Sequence, residues 1–355
     1  MTLMELGWNA SLQSSFDELS RPDLAPARVI SVLKDHYRVR AETRELLAKL
    51  SGRYSFEVAT RSDLPAVGDW VALEAIAGSG RAIIHRVLPR RSKVSRKVAG
   101  REVEEQVIAA NIDTVFIVSA LTQEFNLRRI ERYLTLIWDS GAQPVIVLNK
   151  ADLAEDIAAM TAELALIAPG APVHVVSAIE NFGLDALQSY LTTGQTVAFI
   201  GSSGVGKSTI VNRLLGSEVQ PTLPVREHDD RGRHSTTSRQ LFRLASGGMV
   251  IDTPGMRELQ LWHLDDGLGS TFDDIEKIAA GCRYRDCAHR SEPDCAVRRA
   301  FNTGLLAAAR VENFFKLQAE QAFLDRKLDV QAAQAAKVRA KKLCKESRDL
   351  SRRKG

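Results

Sequence analysis

A glycine-rich stretch in the middle of the chain has the residue types and spacing of a phosphate-binding loop. Four residues separate its first glycine from the Gly-Lys-Ser end of Gly201-Ser202-Ser203-Gly204-Val205-Gly206-Lys207-Ser208-Thr209. Residues 196–200 before it predict a short buried strand, and residues 209–215 predict a helix that Gly216 ends. Backbone N–H groups of such a loop, together with the helix N-terminus, attract phosphate. The stretch therefore predicts a nucleoside triphosphate site, with Lys207 at the β- and γ-phosphates and Ser208 on Mg²⁺.

A second motif, Asn149-Lys150-Ala151-Asp152, directly follows a predicted buried strand at residues 144–148. A carboxylate such as Asp152 accepts two hydrogen bonds side by side, which matches the two N–H donors of guanine and not adenine. Asn149 would bridge loops and contact the base edge, and the Lys150 stem would lie across the ring. Taken alone, this tetrapeptide is better explained by an ordinary helix cap at Asp152.

Two shorter motifs also follow predicted strands. Ser177-Ala178 comes after residues 172–176, and a small residue there lets a backbone N–H approach the guanine O6. Asp252-Thr253-Pro254-Gly255 comes after residues 248–251, so that Asp252 could hold Mg²⁺ through water and the Gly255 N–H could meet the γ-phosphate. Strands alternating with helices predict a parallel sheet, and ligands bind at the carboxyl ends of its strands.

The order of these motifs differs from that of an ordinary guanine-nucleotide switch. There the phosphate loop comes first, whereas here Asn149–Asp152 and Ser177-Ala178 precede it. Joining the old termini and cutting elsewhere produces this order, and residues 186–195 would be the new joint. The sequence therefore predicts a circularly permuted GTPase domain, bounded at residues 105–265.

The rest of the chain predicts further domains. Its 355 residues are enough for two or three domains, the formal net charge is +4, and no apolar run reaches the roughly 18 residues of a membrane span. No basic segment followed by an apolar stretch opens the chain, so we expect no secretory signal and a cytoplasmic protein. Residues 1–26 predict a flexible arm. Predicted strands at residues 27–32, 37–40, 56–59, 70–73 and 81–87 favour an OB-fold barrel over residues 27–104. The basic exit segment, residues 90–97, is typical either of a solvated loop or of a phosphate-contacting one.

With these motifs in this order, the chain resembles the RsgA (YjeQ) family of circularly permuted GTPases over nearly its whole length. The resemblance implies an OB-fold β-barrel, the permuted P-loop α/β domain and an α-helical zinc-binding domain at residues 266–300. It also implies GTP hydrolysis stimulated by the small (30S) ribosomal subunit, which the protein would help to mature. The expected partners are GTP or GDP and that subunit with its rRNA, bound by a monomer that contacts no membrane.

Four residues near the C-terminus form the pattern C-x4-C-x-H-x5-C, which matches the zinc motif of this family: Cys282, Cys287, His289 and Cys295. Three thiolates and one imidazole are a closed tetrahedral set, as structural Zn²⁺ prefers. Residues 301–355 predict a helical extension that frays at its end. Beyond Gln331 its nine lysines and arginines outnumber its two acids, which favours contact with RNA.

The switch region departs from the family pattern and leaves two points open. A threonine that meets Mg²⁺ is expected where Ser235-Thr236-Thr237 stands, and either Thr236 or Thr237 could be that ligand. Met256 occupies the position at which Ras-like proteins place the glutamine that orients the attacking water. His234 is our hypothesis for the water-positioning group. Two alternative functions are a module that binds GTP without hydrolysing it and an ATP-dependent RNA remodeller, against which Asp152 argues.

Overall fold

The computed structural model describes residues 2–97, 104–216, 240–252 and 267–352, without the side chains of residues 97, 252 and 331–352. The strands are β1 (Ala25–Val32), β2 (Tyr37–Arg40), β3 (Glu45–Leu50), β4 (Trp70–Ile76), β5 (Arg81–Val87), β6 (Lys93–Lys97), β7 (Glu105–Ala110), β8 (Thr114–Ala120), β9 (Gln143–Asn149), β10 (Val173–Val175), β11 (Thr196–Ile200), β12 (Gln240–Arg243) and β13 (Met249–Asp252). The helices are α1 (Ala10–Asp17), α2 (Gly52–Glu57), α3 (Leu127–Asp139), α4 (Ile157–Ile167), α5 (Asp185–Gln188), α6 (Lys207–Leu215), α7 (Gly267–Thr271), α8 (Asp273–Ala279), α9 (Ala296–Asn302) and α10 (Ala308–Arg352). In the described part of the chain, no helix is apolar enough over a sufficient length to cross a membrane.

The first five strands close into a barrel in the order β1-β2-β3-β5-β4, with β4 returning to pair with β1. Its interior is filled by small and branched side chains with no exposed surface, among them Val29, Val39 and Leu73. This is the five-stranded arrangement that the sequence predicts as an OB-fold.

One predicted strand of this barrel is wrong. Residues 56–59 do not form it, because Ser51 accepts a hydrogen bond from the Tyr54 N–H and starts the short helix α2 there. The strand that completes the barrel is β3 instead. In β3 the buried positions are Leu46 and Ala48, while Leu47 between them faces outward, so the apolar alternation is weak in the sequence.

The N-terminal segment packs against the barrel, so the prediction of a flexible arm over residues 1–26 is wrong. A short 3-10 helix (Met4–Leu6) and α1 precede β1. Leu6 and Trp8 are buried, and the Trp8 ring meets the Trp70 ring edge-on with centroids 4.7 Å apart. The buried Arg28 guanidinium donates to the Leu6 carbonyl at 2.6 Å, which fixes this segment to β1. Apolar burial therefore outweighs the polar composition of the segment.

The second unit is a mostly parallel sheet in the order β10-β9-β8-β11-β13-β12, in which β12 alone among these six runs antiparallel to its neighbour. Two apolar layers cover it. Helices α3 and α4 pack on one face, and α5 and α6 pack on the other. The predicted strands at residues 144–148, 172–176 and 196–200 and the predicted helix at residues 209–215 are found close to their expected bounds, although the proposed joint at residues 186–195 overlaps α5.

Much of the basic exit segment, residues 90–97, is paired inside the protein. Arg90 makes a two-pronged ion pair with the buried carboxylate of Asp69, at 2.8 and 2.7 Å. Burial raises the pKa of Asp69, while the guanidinium of Arg90 opposes that shift. Lys93 pairs with Glu105 at 2.7 Å across the hairpin of β6 and β7. These partners leave the segment with less free positive charge than its composition indicates.

The C-terminal helices form a third core around Phe272 and Phe314, whose rings meet edge-on. Gly304, with φ +76°, lies between α9 and α10 where the sequence predicts continuous helix. Buried charge joins this core to α3. Glu131 of α3 has no exposed surface and accepts hydrogen bonds from Arg310 and Asn313 of α10 at 2.7 and 2.6 Å.

Candidate nucleotide site and metal centre

The phosphate loop joins β11 to α6 at the carboxyl edge of the parallel sheet, and two of its glycines are required by space. Gly201 has φ +144°, and a Cβ atom there would lie 2.2 Å from the Val118 carbonyl oxygen. Gly206 has φ +96°, and its Cβ would lie 2.2 Å from the amide nitrogen of Asn149. A side chain at either position would force the loop away from the strand beneath it.

Lys207 opens α6 and folds back over the loop. Its ammonium donates to the Gly201 and Ser202 carbonyl oxygens at 2.7 and 2.6 Å. Ser208 and Thr209 follow in the first helical turn and are half-buried, whereas Ser203 and Gly204 at the loop tip are exposed. The positive charge of Lys207 therefore lies at the start of the loop, next to the first turn of a helix whose N-terminus attracts anions.

Asn149 connects three of the predicted motifs. Its side chain is buried at the end of β9, where its amide nitrogen donates to the Val205 carbonyl at 2.8 Å. Its amide oxygen accepts from the Ala178 N–H at 3.0 Å. One side chain thus holds the phosphate loop and the Ser177-Ala178 turn at a fixed separation.

Asp152 lies at the same edge of the sheet, in a short 3-10 helix (Ala151–Leu153) that follows β9. It is exposed, and its Oδ1 accepts a 2.5 Å hydrogen bond from the hydroxyl of buried Ser177. Lys150 adopts the left-handed conformation, with φ +64°. The structure brings together Asn149, Lys150, Asp152, Ser177 and Ala178, and Asp152 keeps a second carboxylate oxygen for a ligand.

The remaining predicted site residues are described only in part or not at all. Asp252 ends β13, which is parallel to β11, so its backbone is at the same sheet edge. His234, Thr236, Thr237 and Gly255 lie outside the described residues.

Two arginines that the sequence reasoning missed also contact these motifs. Arg213 of α6 donates to the Ala178 carbonyl at 3.1 Å, which ties the Ser177-Ala178 turn to α6. Arg129, in the first turn of α3, donates to the Ser202 hydroxyl at 2.7 Å. The signal for Arg129 was its place in a helix that starts just after β8, at the ligand-binding edge of the sheet.

A separate cluster brings together the four residues of the C-x4-C-x-H-x5-C pattern, with all ligand atoms within 4.8 Å of one another. Cys282 Sγ lies 3.9 Å from Cys295 Sγ, and His289 Nδ1 lies 3.5 Å from each of these sulfurs. A tetrahedral ion with Zn–S of about 2.3 Å and Zn–N of about 2.0 Å requires edges of about 3.8 Å between sulfurs and about 3.5 Å between nitrogen and sulfur. The donor set therefore fits a four-coordinate Zn²⁺ in ligand type, and Cys282, His289 and Cys295 also fit it in spacing.

Backbone groups shape this cluster. Burial opposes ionisation of the Cys282 thiol, but N–H donors from Ala296 and Val297 at the start of α9, together with the thiols of Cys295 and Cys287, outweigh it, so the pKa of Cys282 lies below its ordinary value. Glu292 accepts hydrogen bonds from the N–H groups of Ala288 and Arg290 at 3.1 and 2.8 Å. The N–H of Glu292 itself, followed by those of Ser291, Ala288 and Arg290, lowers the pKa of Glu292 to about 2 against the opposing effect of burial. The loop between His289 and Cys295 is thus held by a carboxylate that stays charged.

Comparison with known proteins identifies the family. The profile described as "RsgA GTPase" matches residues 87–262. A relative in Opitutus terrae, named small ribosomal subunit biogenesis GTPase RsgA, is 45% identical over 364 residues, which cover 100% of this chain and 99% of that protein. The chain belongs to the RsgA GTPase family. A further RsgA, from Syntrophotalea carbinolica, is 45% identical over 95% of both chains.

Two solved structures agree with this membership in RsgA. YjeQ from Thermotoga maritima superposes with a TM-score of 0.62 at 28% identity, covering 84% of this chain and 99% of that one. YloQ, described as a circularly permuted GTPase, superposes with a TM-score of 0.60 at 25% identity, covering 85% of this chain and 96% of that one. The predicted fold class, an OB-fold barrel followed by a permuted GTPase domain and a C-terminal cysteine–histidine cluster, is confirmed.

Proposed function

We propose that this RsgA-family GTPase binds the small ribosomal subunit and hydrolyses GTP to assist its late maturation. Two relatives that align with 100% and 95% of the chain are named small ribosomal subunit biogenesis GTPase RsgA. The single observation that supports guanine-nucleotide chemistry most strongly is the position of Asn149. Its one amide group spans the Val205 carbonyl of the phosphate loop and the Ala178 N–H of the base-side turn. A phosphate site and a base site at a fixed separation are what a nucleotide requires.

Base choice rests on Asp152 in this proposal. The Ser177 hydroxyl already donates to one carboxylate oxygen and thereby fixes the rotamer of the group. The carboxylate would accept hydrogen bonds from the N1–H and the 2-amino group of guanine. The Ser177-Ala178 turn would lie near the guanine O6. An adenine presents no such donor pair, so GTP is favoured over ATP.

Hydrolysis is a transfer of the γ-phosphoryl group to water. Lys207 would exchange its hydrogen bonds to the loop carbonyls for the β- and γ-phosphate oxygens and offset the charge that develops on them. Mg²⁺, which supplies charge neutralisation when bound with GTP, would be held by Ser208, Asp252 and either Thr236 or Thr237. The Gly255 N–H would contact the γ-phosphate.

Water positioning needs a group other than residue 256. Methionine neither donates a strong hydrogen bond nor accepts one, so Met256 cannot orient the attacking water. We assign that role to His234, which precedes the switch threonines in the sequence. Turnover by the free protein is then slow, and docking on the subunit accelerates it.

The remaining parts provide binding to the subunit. We assign a structural Zn²⁺ to Cys282, Cys287, His289 and Cys295, which would hold the start of α9 against the loop at residues 282–295. The barrel at residues 27–104 and the basic helix at residues 301–355 would contact rRNA, while residues 266–300 form the zinc domain and residues 105–265 the GTPase domain. The protein would act as a monomer in the cytoplasm.

The experiment that tests this function is co-sedimentation with 30S, 50S and 70S particles, in the presence of GDP or a non-hydrolysable GTP analogue. Selective binding to 30S particles with the analogue is the expected result. Equal binding to all three particles, or binding that ignores the nucleotide, would contradict the proposal.

A further inference from the structure

Helix α3 presents three arginines in its first two turns, and they have different partners. Arg128 donates to Glu131 at 2.8 Å, and Arg132 donates to Glu320 at 2.8 Å. Arg129 is exposed and donates to the neutral hydroxyl of Ser202, and among the described residues it has no carboxylate partner. Its positive charge is therefore compensated by no acidic group in the part of the chain that the structure describes.

A second cation reaches the same loop residue. Lys207 donates to the Ser202 carbonyl at 2.6 Å, and Arg129 donates to the Ser202 hydroxyl at 2.7 Å. Two like charges that converge on one residue repel each other, and an anion bound between them would relieve that repulsion. The loop is a phosphate-binding element, so the anion that fits is a phosphate group.

The Arg129 and Lys207 side chains meet at one end of the loop, and that end indicates which phosphate of the nucleotide they contact. In phosphate-loop enzymes the lysine serves the β- and γ-phosphates. Here its ammonium donates to the carbonyl oxygens of Gly201 and Ser202, the first residues of the loop. Arg129 approaches this same end, and its planar guanidinium has donors left for phosphate oxygens after the single bond to Ser202.

Helix α3 holds Arg129 in place. Asn126 caps the helix by accepting the Arg129 N–H at 3.0 Å. Two residues further along the helix, Glu131 is buried and hydrogen-bonded to α10. A cation on such an anchored first turn is preorganised, so little ordering is required when the ligand binds.

We propose that Arg129 is a further nucleotide-binding residue whose guanidinium contacts the terminal phosphate of GTP. The inference rests on the proposed function, since it names a new contact in the same site. It supplies a cation from within the chain, in a site where Met256 leaves no glutamine. An arginine that meets the terminal phosphate distinguishes GTP from GDP.

The test is the affinity of the full-length protein for GDP and for a non-hydrolysable GTP analogue, measured by fluorescence titration. Arg129→Ala is expected to weaken analogue binding about tenfold, or about 1.4 kcal/mol, and to change GDP binding less than about twofold. Arg129→Lys keeps the charge but loses the planar guanidinium, so its affinity for the analogue should lie between those of the wild type and Arg129→Ala. Arg53→Ala, which removes an exposed arginine of α2 paired with Glu57, is the matched control and should change neither affinity.

Ser202→Ala separates direct contact from support of the loop. If Arg129 touches phosphate, Arg129→Ala keeps its selective tenfold effect in the Ser202→Ala background. An equal loss for GDP and the analogue, or no added loss in that background, would overturn the proposal. If hydrolysis by the wild type responds to no ribosomal subunit while Arg129→Ala still loses only analogue affinity, the subunit role fails and the Arg129 contact stands.

Discussion

The buried carboxylate of Glu131 connects the GTPase domain to the C-terminal helices, and we expect its removal to weaken that connection. It has no exposed surface and accepts hydrogen bonds from Arg128, Arg310 and Asn313, at 2.6 to 2.9 Å. Arg310 is itself only 5% exposed in its side chain and also pairs with Asp274 at 2.6 Å. Burial opposes the charge of Arg310, yet these carboxylates outweigh it and raise its pKa. Glu131→Ala would remove one of the two anions that keep this charge buried.

The size of the effect follows from what is left behind. Removing one partner of a buried ion pair costs about 3–5 kcal/mol, because the other charge stays desolvated. Arg310 keeps Asp274 and the Thr271 carbonyl, so we expect a value near the lower limit, about 3 kcal/mol. A loss of about 3 kcal/mol raises the equilibrium constant for local opening of α8 to α10 roughly a hundredfold.

Amide hydrogen exchange followed by mass spectrometry measures that opening region by region. In Glu131→Ala, exchange should accelerate roughly a hundredfold across the C-terminal helices, and the barrel at β1 to β5 should keep its rates. Arg132→Ala is the matched control, since it breaks a half-exposed pair with Glu320 one residue further along the same helix. Such pairs contribute about 0–1 kcal/mol, or at most about fivefold. Equal effects of the two variants would refute the argument from burial.

The other predictions concern the nucleotide and metal sites. Asp152→Asn replaces an acceptor oxygen with an NH₂ group, so xanthine nucleotide should compete better than GTP; retained guanine preference in competition binding would show that the base pocket is misassigned. Cys287→Ala should lower the zinc content and weaken subunit binding while nucleotide affinity stays nearly unchanged; full zinc in the variant by metal analysis, or none in the wild type, would remove the site. His234→Ala should keep GTP affinity and lose most of the subunit-stimulated single-turnover rate, on the order of a hundredfold. A variant that responds to subunits as the wild type does would exclude His234.

The sequence predicts the GTPase domain well because its signals are local. Each buried parallel strand is a continuous apolar run, and each motif stands directly at a strand end, as Asn149 does after β9. The cysteine–histidine cluster is found for the same reason, since its spacing alone restricts the ligands. In both cases a short stretch of sequence contains the functional side chains together with the residues that position them.

Long-range contacts explain what the sequence left out. The sequence places Trp8 in a polar arm, because its packing partner Trp70 is distant in the chain. β3 alternates weakly because Ala48 faces the barrel interior and Leu47 does not. Arg129 and Ser202 are 73 positions apart, so their hydrogen bond exists only once α3 is docked beside the phosphate loop. Such pairings depend on tertiary packing, which periodicity does not report.

In the function that we propose, docking on the small ribosomal subunit controls the hydrolysis of GTP. Single-turnover hydrolysis by the wild-type protein, alone and with 30S, 50S or 70S particles, tests it most directly. We expect slow turnover by the free protein and a rise on the order of a hundredfold with 30S particles, as about 3 kcal/mol of positioning would give. A rate that no particle changes, or that 50S particles raise as much as 30S particles do, would contradict the account.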